Sequence, residues 1–366
     1  MLRVHRRALS NMHLVFDFDG TITLSDTIGH LARAGVAAQK LSRGANLEPA
    51  WDALLQAYLA DNDAYRAQFD TPAARTTAAQ ELRFLSGLAD VERASLRRVG
   101  EAALFKGLGP AAMRRIGADA VANGDVQLRP GLARLVARAR EKGWSVSVVS
   151  VNWSSEFIRG VVGDVLRDDG DGDGDGDGDE VVSNSTREED GAIRGPDVLE
   201  GALLVTAPDK ALAMQRLRGG GGGGPLVYFG DSTTDLACLM EADRGVVLAA
   251  AEGEGALLTT MKRLGLEVPP VEAKKKMGWA RTFDECKRLI YSCQRFVIGR
   301  CVLVCDASAR SQADARREGR EPAAACSYRN FVLWAAAPTK PRVRSVWDRQ
   351  LAMFARVDVL AAARSQ

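Results

Sequence analysis

The run Met12-His13-Leu14-Val15-Phe16 leads straight into Asp17-Phe18-Asp19-Gly20-Thr21. A short apolar segment ending on carboxylates reads as a strand buried in the middle of a sheet, with its polar tip at the sheet edge. The chain beyond this strand restricts the fold further. From about Thr27 to Asn123, Ala and Leu recur at helical spacing, as in Trp51, Leu54, Leu55 and Tyr58, and then Leu82, Leu85 and Leu88. Pro49, Pro72 and Pro110 punctuate that stretch as helix-start signals. Strands are then predicted at Trp144 to Ser150, Glu180 to Ser183, Pro225 to Phe229 and Gly245 to Leu248. Helical stretches separate them at Leu132 to Lys142, Lys210 to Leu217 and Asp235 to Ala242. Strands alternating with helices imply an α/β fold, a doubly wound parallel sheet covered on both faces. The helical block interrupts it after the first strand.

The apolar fraction of 46% can supply a sizeable core. No window reaches the length of apolar sequence that a membrane helix needs, so no membrane partner is expected. Two segments are of low complexity. Asp168 to Glu180 is an Asp-Gly repeat with seven Asp, one Glu and no basic residue, and Gly219 to Gly224 is six glycines. The first matches a calcium-loop pattern at Asp169, Asp171, Asp173, Gly174 and Glu180. Any Asp-Gly repeat matches that pattern by construction, so it is read as a solvated acidic linker. From Cys286 to Gln366 the composition turns basic, with fifteen Lys plus Arg against six Asp plus Glu. Five of the six cysteines lie there without a CxxC pair, which speaks for free thiols rather than zinc. This tail is expected to be disordered. The rest of the chain is nearly neutral, so no nucleic-acid partner is expected. A cytoplasmic location is expected; the short Arg-bearing segment before Met12 leaves a mitochondrial leader as the alternative.

Four motifs fall in order at predicted strand ends or helix starts, where open α/β sheets bind ligands. Asp17 and Asp19, two residues apart, can face one site; side by side they repel unless a cation or a division of labour offsets the repulsion. Gly20 allows close approach of backbone N–H groups to an anion. Ser150 closes the second strand with a hydroxyl. Lys210 offers an ammonium at a helix start. Asp231 and Asp235, in Gly230-Asp231-Ser232-Thr233-Thr234-Asp235, are hard oxygen ligands suited to magnesium. Each alone has a plain structural reading, as a turn, a strand cap, a solvated lysine or a helix N-cap.

Together they resemble the haloacid dehalogenase superfamily, and within it the phosphoserine-phosphatase-like enzymes. Leu104-Phe105-Lys106-Gly107-Leu108, Arg129-Pro130-Gly131 and the stretch from Asn184 through Gly195 match as well. The resemblance implies a core over 12–26 and 128–285, with the acidic linker inside it and a helical cap over 27–127. It implies Mg2+ as cofactor and a small phosphorylated metabolite as substrate. Asp17 is then the nucleophile that becomes an aspartyl phosphate, and Asp19 the general acid. Asp17, Asp231, Asp235 and the Asp19 carbonyl form the metal set. Gly20, Thr21, Ser150 and Lys210 cradle the phosphate. Asp26 stands where the phosphoserine enzymes read the substrate amine, and opens a helix as an alternative. Asn152 and Trp153 replace glycines usual there, and Asn152 is a candidate substrate contact. A non-catalytic binding protein on the same fold and a phosphoryl-transferring mutase are the competing expectations.

Overall fold

The strand β1 (His13–Phe16) lies at the centre of a six-stranded sheet in the computed structural model, which describes residues 12–69, 71–166, 180–220, 224–249 and 254–286. Leu14, Val15 and Phe16 are all fully buried, because both faces of a parallel sheet are covered. The chain then forms five helices: α1 (Ile28–Arg43), α2 (Glu48–Arg66), α3 (Ala78–Gly87), α4 (Ala89–Glu101) and α5 (Pro110–Ala122). Next come α6 (Leu132–Glu141), β2 (Ser145–Val149), α7 (Ser155–Leu166) and β3 (Glu180–Val182). A small antiparallel pair, β4 (Ser185–Thr186) and β5 (Ile193–Arg194), stands apart from the main sheet. The remainder is α8 (Ala207–Gly220), β6 (Leu226–Gly230), α9 (Leu236–Glu241), β7 (Arg244–Leu248), α10 (Ala256–Arg263) and β8 (Met277–Ala280).

The strand order is β3-β2-β1-β6-β7-β8, and every pairing is parallel. The order reverses direction on either side of β1. That makes the carboxyl ends of β1 and its neighbours the crevice where an α/β sheet takes its ligand. Leu14 faces Val146 on one side and Val227 on the other, so β1, β2 and β6 end level with one another. Phe16 stacks on Phe229 at 4.5 Å between ring centroids, and Phe283 meets both rings edge-on. This is the offset and T-shaped geometry that aromatic rings favour.

β8 and the β4–β5 hairpin escape the sequence pattern. Met277-Gly278-Trp279-Ala280 is an edge strand that follows three lysines and contains a glycine. A Cβ at Gly278 would lie 2.9 Å from the Val271 backbone, so packing rather than strand propensity selects that residue. The packed part of the chain also runs one residue further than composition implies. Cys286, read as the start of the tail, is fully buried, and its backbone N–H donates to the Phe283 carbonyl. The expected disorder of the tail from residue 287 onward, and the acidic linker over 168–179, lie outside the described residues.

The helical block leaves and re-enters the sheet layer through paired segments. Thr23 bridges Leu128, the Leu24 N–H donates to Gln127, and the Arg129 N–H donates to Ile22. Helix α5 returns to lie on α7. Gly117 and Gly160 make the crossing close: a Cβ at Gly117 would sit 2.3 Å from the Phe157 carbonyl, and one at Gly160 2.0 Å from that of Arg114. Within the block, α2 and α4 enclose Tyr58 and Glu92, whose side chains hydrogen-bond at 2.9 Å. Burial pushes the Glu92 carboxyl up from its ordinary 4.5 to about 7, against the pull of the Tyr58 hydroxyl. A carboxyl raised by folding is neutral in both states at low pH. The folded state loses stability as pH rises from about 4.5 to about 7, because over that span the unfolded chain ionises while the buried group does not. Glu92→Gln is therefore expected to melt a few degrees above the parent at pH 8 and level with it at pH 4. Thermal melts at the two pH values check this, and a gain confined to low pH would contradict it.

Candidate active site

Asp17 leaves β1 with its backbone N–H on the Phe229 carbonyl at 2.8 Å, so the nucleophile candidate hangs between β1 and β6. The segment Phe18–Ile22 makes one wide helical turn that Asp19 and Gly20 break, with Gly20 at φ +76°. A Cβ on Gly20 would sit 2.3 Å from an Asp231 carboxylate oxygen. Glycine is thus required here twice, for its backbone angle and for the closeness of Asp231. The Gly20 N–H donates to the Thr23 hydroxyl at 3.2 Å, and the Thr21 hydroxyl donates to Asp231 at 3.0 Å. The Thr21 hydroxyl also lies 3.4 Å from an Asp17 carboxylate oxygen, so both residues, expected on a phosphate, stand in the loop beside Asp17 and Asp231.

Lys210 rises from the first turn of α8, a turn capped by the Asp209 carboxylate on the Val205 and Thr206 N–H groups. The Lys210 ammonium is completely buried. It donates to Asp17 at 2.5 Å and to Asp235 at 2.6 Å. Burial alone would depress its pKa, but Asp17 and Asp235 outweigh burial and raise it, so the lysine is charged. Burial and the neighbouring Asp235 push Asp17 up even with Lys210 beside it. Burial, Asp17 and Asp235 push Asp231 well up. Three carboxylates facing one ammonium leave an excess of negative charge in a dry place.

One carboxylate oxygen from each of Asp17, Asp231 and Asp235 lies within 4.8 Å of the others. A compact set of hard oxygen donors with surplus negative charge fits a divalent cation such as Mg2+. The three are not equivalent. Asp235 accepts from Lys210 and the Tyr228 hydroxyl on one oxygen, and from the Asp231 N–H, the Ser232 N–H and the Ser232 hydroxyl on the other. A carboxylate offers about four lone-pair sites, and five donors already use them. Asp235 is close enough to ligate, but its hydrogen bonds make it the anchor of Lys210 and of the Asp231 turn. Asp17 and Asp231 are the better metal ligands.

Asp19 faces the same crevice. Thr27 gives its Oδ1 an N–H at 2.8 Å and a hydroxyl at 2.6 Å, and Asn152 donates to Oδ2 at 2.9 Å. Burial raises the Asp19 pKa while these donors pull it down. Asn152 is fully buried, so its amide reaches the crevice through Asp19. Asp26 caps the Ile28 N–H at 2.9 Å at the start of α1, and burial followed by the charge of Asp19 raises its pKa. Ser150, also buried, puts its N–H on Val182 and its hydroxyl under the Asn152 N–H.

Two contributors, Tyr228 and Thr27, carry no motif signal, and a third, Arg129, is legible only as part of the Arg129-Pro130-Gly131 match and not by its role. Tyr228 looks like a core strand residue, and its hydroxyl matters only because Asp235 lies within 2.8 Å. Thr27 looks like a helix start. Arg129 is buried, and its guanidinium donates to the carbonyls of Gly20, Thr21 and Arg281. It ties the loop after Asp17 to the end of β8; the proline and glycine after it mark a turn but not this role.

Known proteins are similar to this chain over most of its length. A CTO1 family protein of Schizosaccharomyces pombe is 26% identical over 296 residues, covering 77% of this chain and 96% of that one. Among solved structures, a phospho-aspartyl intermediate analogue of phosphoserine phosphatase covers 76% of this chain and 98% of its own, at 13% identity and a TM-score of 0.43. A phosphoserine phosphohydrolase-like protein from Francisella tularensis covers 77% and 100%, at 17% identity and a TM-score of 0.44. The model of the haloacid dehalogenase-like hydrolases matches residues 14–240, which span β1, the helical block, β2, Lys210, β6 and both Asp231 and Asp235, and the chain belongs to that family.

Proposed function

We propose that the protein is a magnesium-dependent phosphatase that hydrolyses a small phosphorylated metabolite through an aspartyl phosphate on Asp17. The observation that carries this reading is the buried Lys210 ammonium, shared by Asp17 and Asp235 and set beside Asp231. An ordinary Asp-Gly turn has no need of a buried lysine. A carboxylate that attacks a phosphate has that need, because two anions must meet. Lys210 fixes one Asp17 oxygen, and the other, which among the described residues accepts only a long hydrogen bond of 3.4 Å from the Thr21 hydroxyl, attacks phosphorus. Asp19, two residues on and held by Thr27 and Asn152, protonates the departing oxygen as the P–O bond breaks. It then takes a proton from the water that attacks phosphorus and releases Asp17 from the acyl phosphate. Magnesium held by Asp17 and Asp231 supplies charge neutralisation for the transferring phosphoryl group.

A panel of phosphometabolites and aryl phosphates, assayed with and without magnesium, tests the reading. Phosphate release that requires magnesium and is lost with a chelator is the expected result. Full turnover in the chelator, or no phosphate from any monoester, would overturn it.

A further inference from the structure

Asp19 is gripped by three donors whose own positions are fixed. The Asn152 amide cannot turn over, because its Oδ1 accepts the Ser154 N–H at 3.2 Å. A flipped amide would face one donor with another and set its oxygen against the Asp19 carboxylate. The Asn152 backbone is fixed as well. Its N–H donates to the Ser150 hydroxyl at 3.1 Å, and its carbonyl accepts from the Ser183 hydroxyl at 2.8 Å and the Asn184 amide at 3.1 Å. Asn184 is itself tied twice to Leu204, as donor and as acceptor, at 2.9 Å each. Ser150, Asn152, Ser154, Ser183 and Asn184 are all buried. A buried network with its donors and acceptors matched is stiff, and this one ends on Asp19 Oδ2 at 2.9 Å and on the Thr27 hydroxyl, itself a donor to Asp19 Oδ1, at 3.2 Å.

The two Asp19 oxygens are therefore unequal. Oδ1 accepts two hydrogen bonds from Thr27, and Oδ2 accepts one from Asn152. A proton added to the carboxylate goes to Oδ2, the oxygen with the lighter donor load. We infer that Asn152 is a positioning residue for Asp19: through the Nδ2–Oδ2 hydrogen bond it aims the proton-bearing oxygen at the departing oxygen of the substrate. The step moves one proton from Asp19 Oδ2 to the leaving oxygen as phosphorus shifts its bond to Asp17. The carboxylate left behind is the form that all three donors stabilise. The inference rests on Asp19 being the general acid of the proposed phosphatase. It predicts a dependence on the leaving group rather than a uniform loss, because a basic alkoxide needs the proton and a p-nitrophenolate hardly does.

The test measures kcat/KM at saturating magnesium over a series from p-nitrophenyl phosphate to simple alkyl phosphates. The variants are Asn152→Ala, Asn152→Leu and Asp19→Asn. Leu is bulkier than Asn and lacks the donor, so an emptied pocket, as in the Ala variant, cannot by itself imitate the result. Both Asn152 variants are expected to lose about tenfold more on alkyl than on p-nitrophenyl esters. Equal losses across the series in folded Asn152 variants would overturn the inference. Asp19→Asn separates the two levels. If it is steep in leaving-group basicity while the Asn152 variants are flat, only the positioning role fails. If it too is flat, the general-acid reading of Asp19 fails.

Discussion

Asp17→Asn is expected to lower magnesium-dependent phosphate release by roughly four orders of magnitude, since an amide does not attack phosphorus. The same variant should fold without loss. Lys210 keeps its bond to Asp235 at 2.6 Å, and the new amide oxygen can still accept from it. Folding pushes the Asp17 carboxyl up, first through burial and then through Asp235. The ionised form is thus a burden on the metal-free fold above neutral pH, and absent at acid pH where both folded and unfolded chains are protonated. Asp17→Asn should then melt at or above the parent at pH 8 in a chelator, and magnesium should raise its melting point less than the parent's, because one of the two better ligands has lost its charge. Activity assays on p-nitrophenyl phosphate and melts with and without magnesium decide the matter. A variant that turns over at the parent rate removes Asp17 from the chemistry; one that is inactive only because it is unfolded shows a structural role instead.

The reason Asp17 could be found from the sequence is also the reason its partners could not all be found. β1 is buried on both faces, so Leu14, Val15 and Phe16 form an unbroken apolar run whose end is marked by the first carboxylate. Asp231 follows β6 in the same way, and Lys210 opens a helix with a capping aspartate one residue before it. These are local signals, written in the chain beside the residue they mark. The grip on Asp19 is not local. Thr27 and Asn152 come together across 125 positions of sequence; Thr27 has an ordinary local reading as a helix start, and Asn152 stands out as a candidate substrate contact rather than as a partner of Asp19. Gly20 shows the middle case. Its flexibility is legible from the Asp-Gly pair, but the closeness of Asp231, which excludes a side chain there, exists only in the folded arrangement. Asp235 shows the converse: its spacing from Asp231 suggests a ligand, and the fold adds five donors around it that also tie it to Lys210 and to the Asp231 turn.

Lys210→Met should be the most damaging single change to stability in the site. The ammonium is completely buried, and its removal leaves Asp17 and Asp235 facing each other without a counter-charge. Deleting one partner of a buried ion pair costs about 3–5 kcal/mol. For a domain of this size that is a fall in melting temperature on the order of 10 °C. Activity should drop by about two to three orders of magnitude, because the transferring phosphoryl group loses a fixed positive charge. Two measurements separate these effects. Magnesium should recover part of the stability, by supplying charge near Asp17 and Asp231, and little of the activity, because it cannot restore the hydrogen bond that holds one Asp17 oxygen. Adding Asp235→Asn to Lys210→Met should also recover stability, since the carboxylate left without its partner is gone, and the double variant should melt above the single one. If Lys210→Met melts with the parent, the buried pair does not hold the crevice together. If Asp235→Asn makes the Lys210→Met protein worse, Asp235 works mainly through Tyr228 and the Ser232 cap, and the ion pair is secondary.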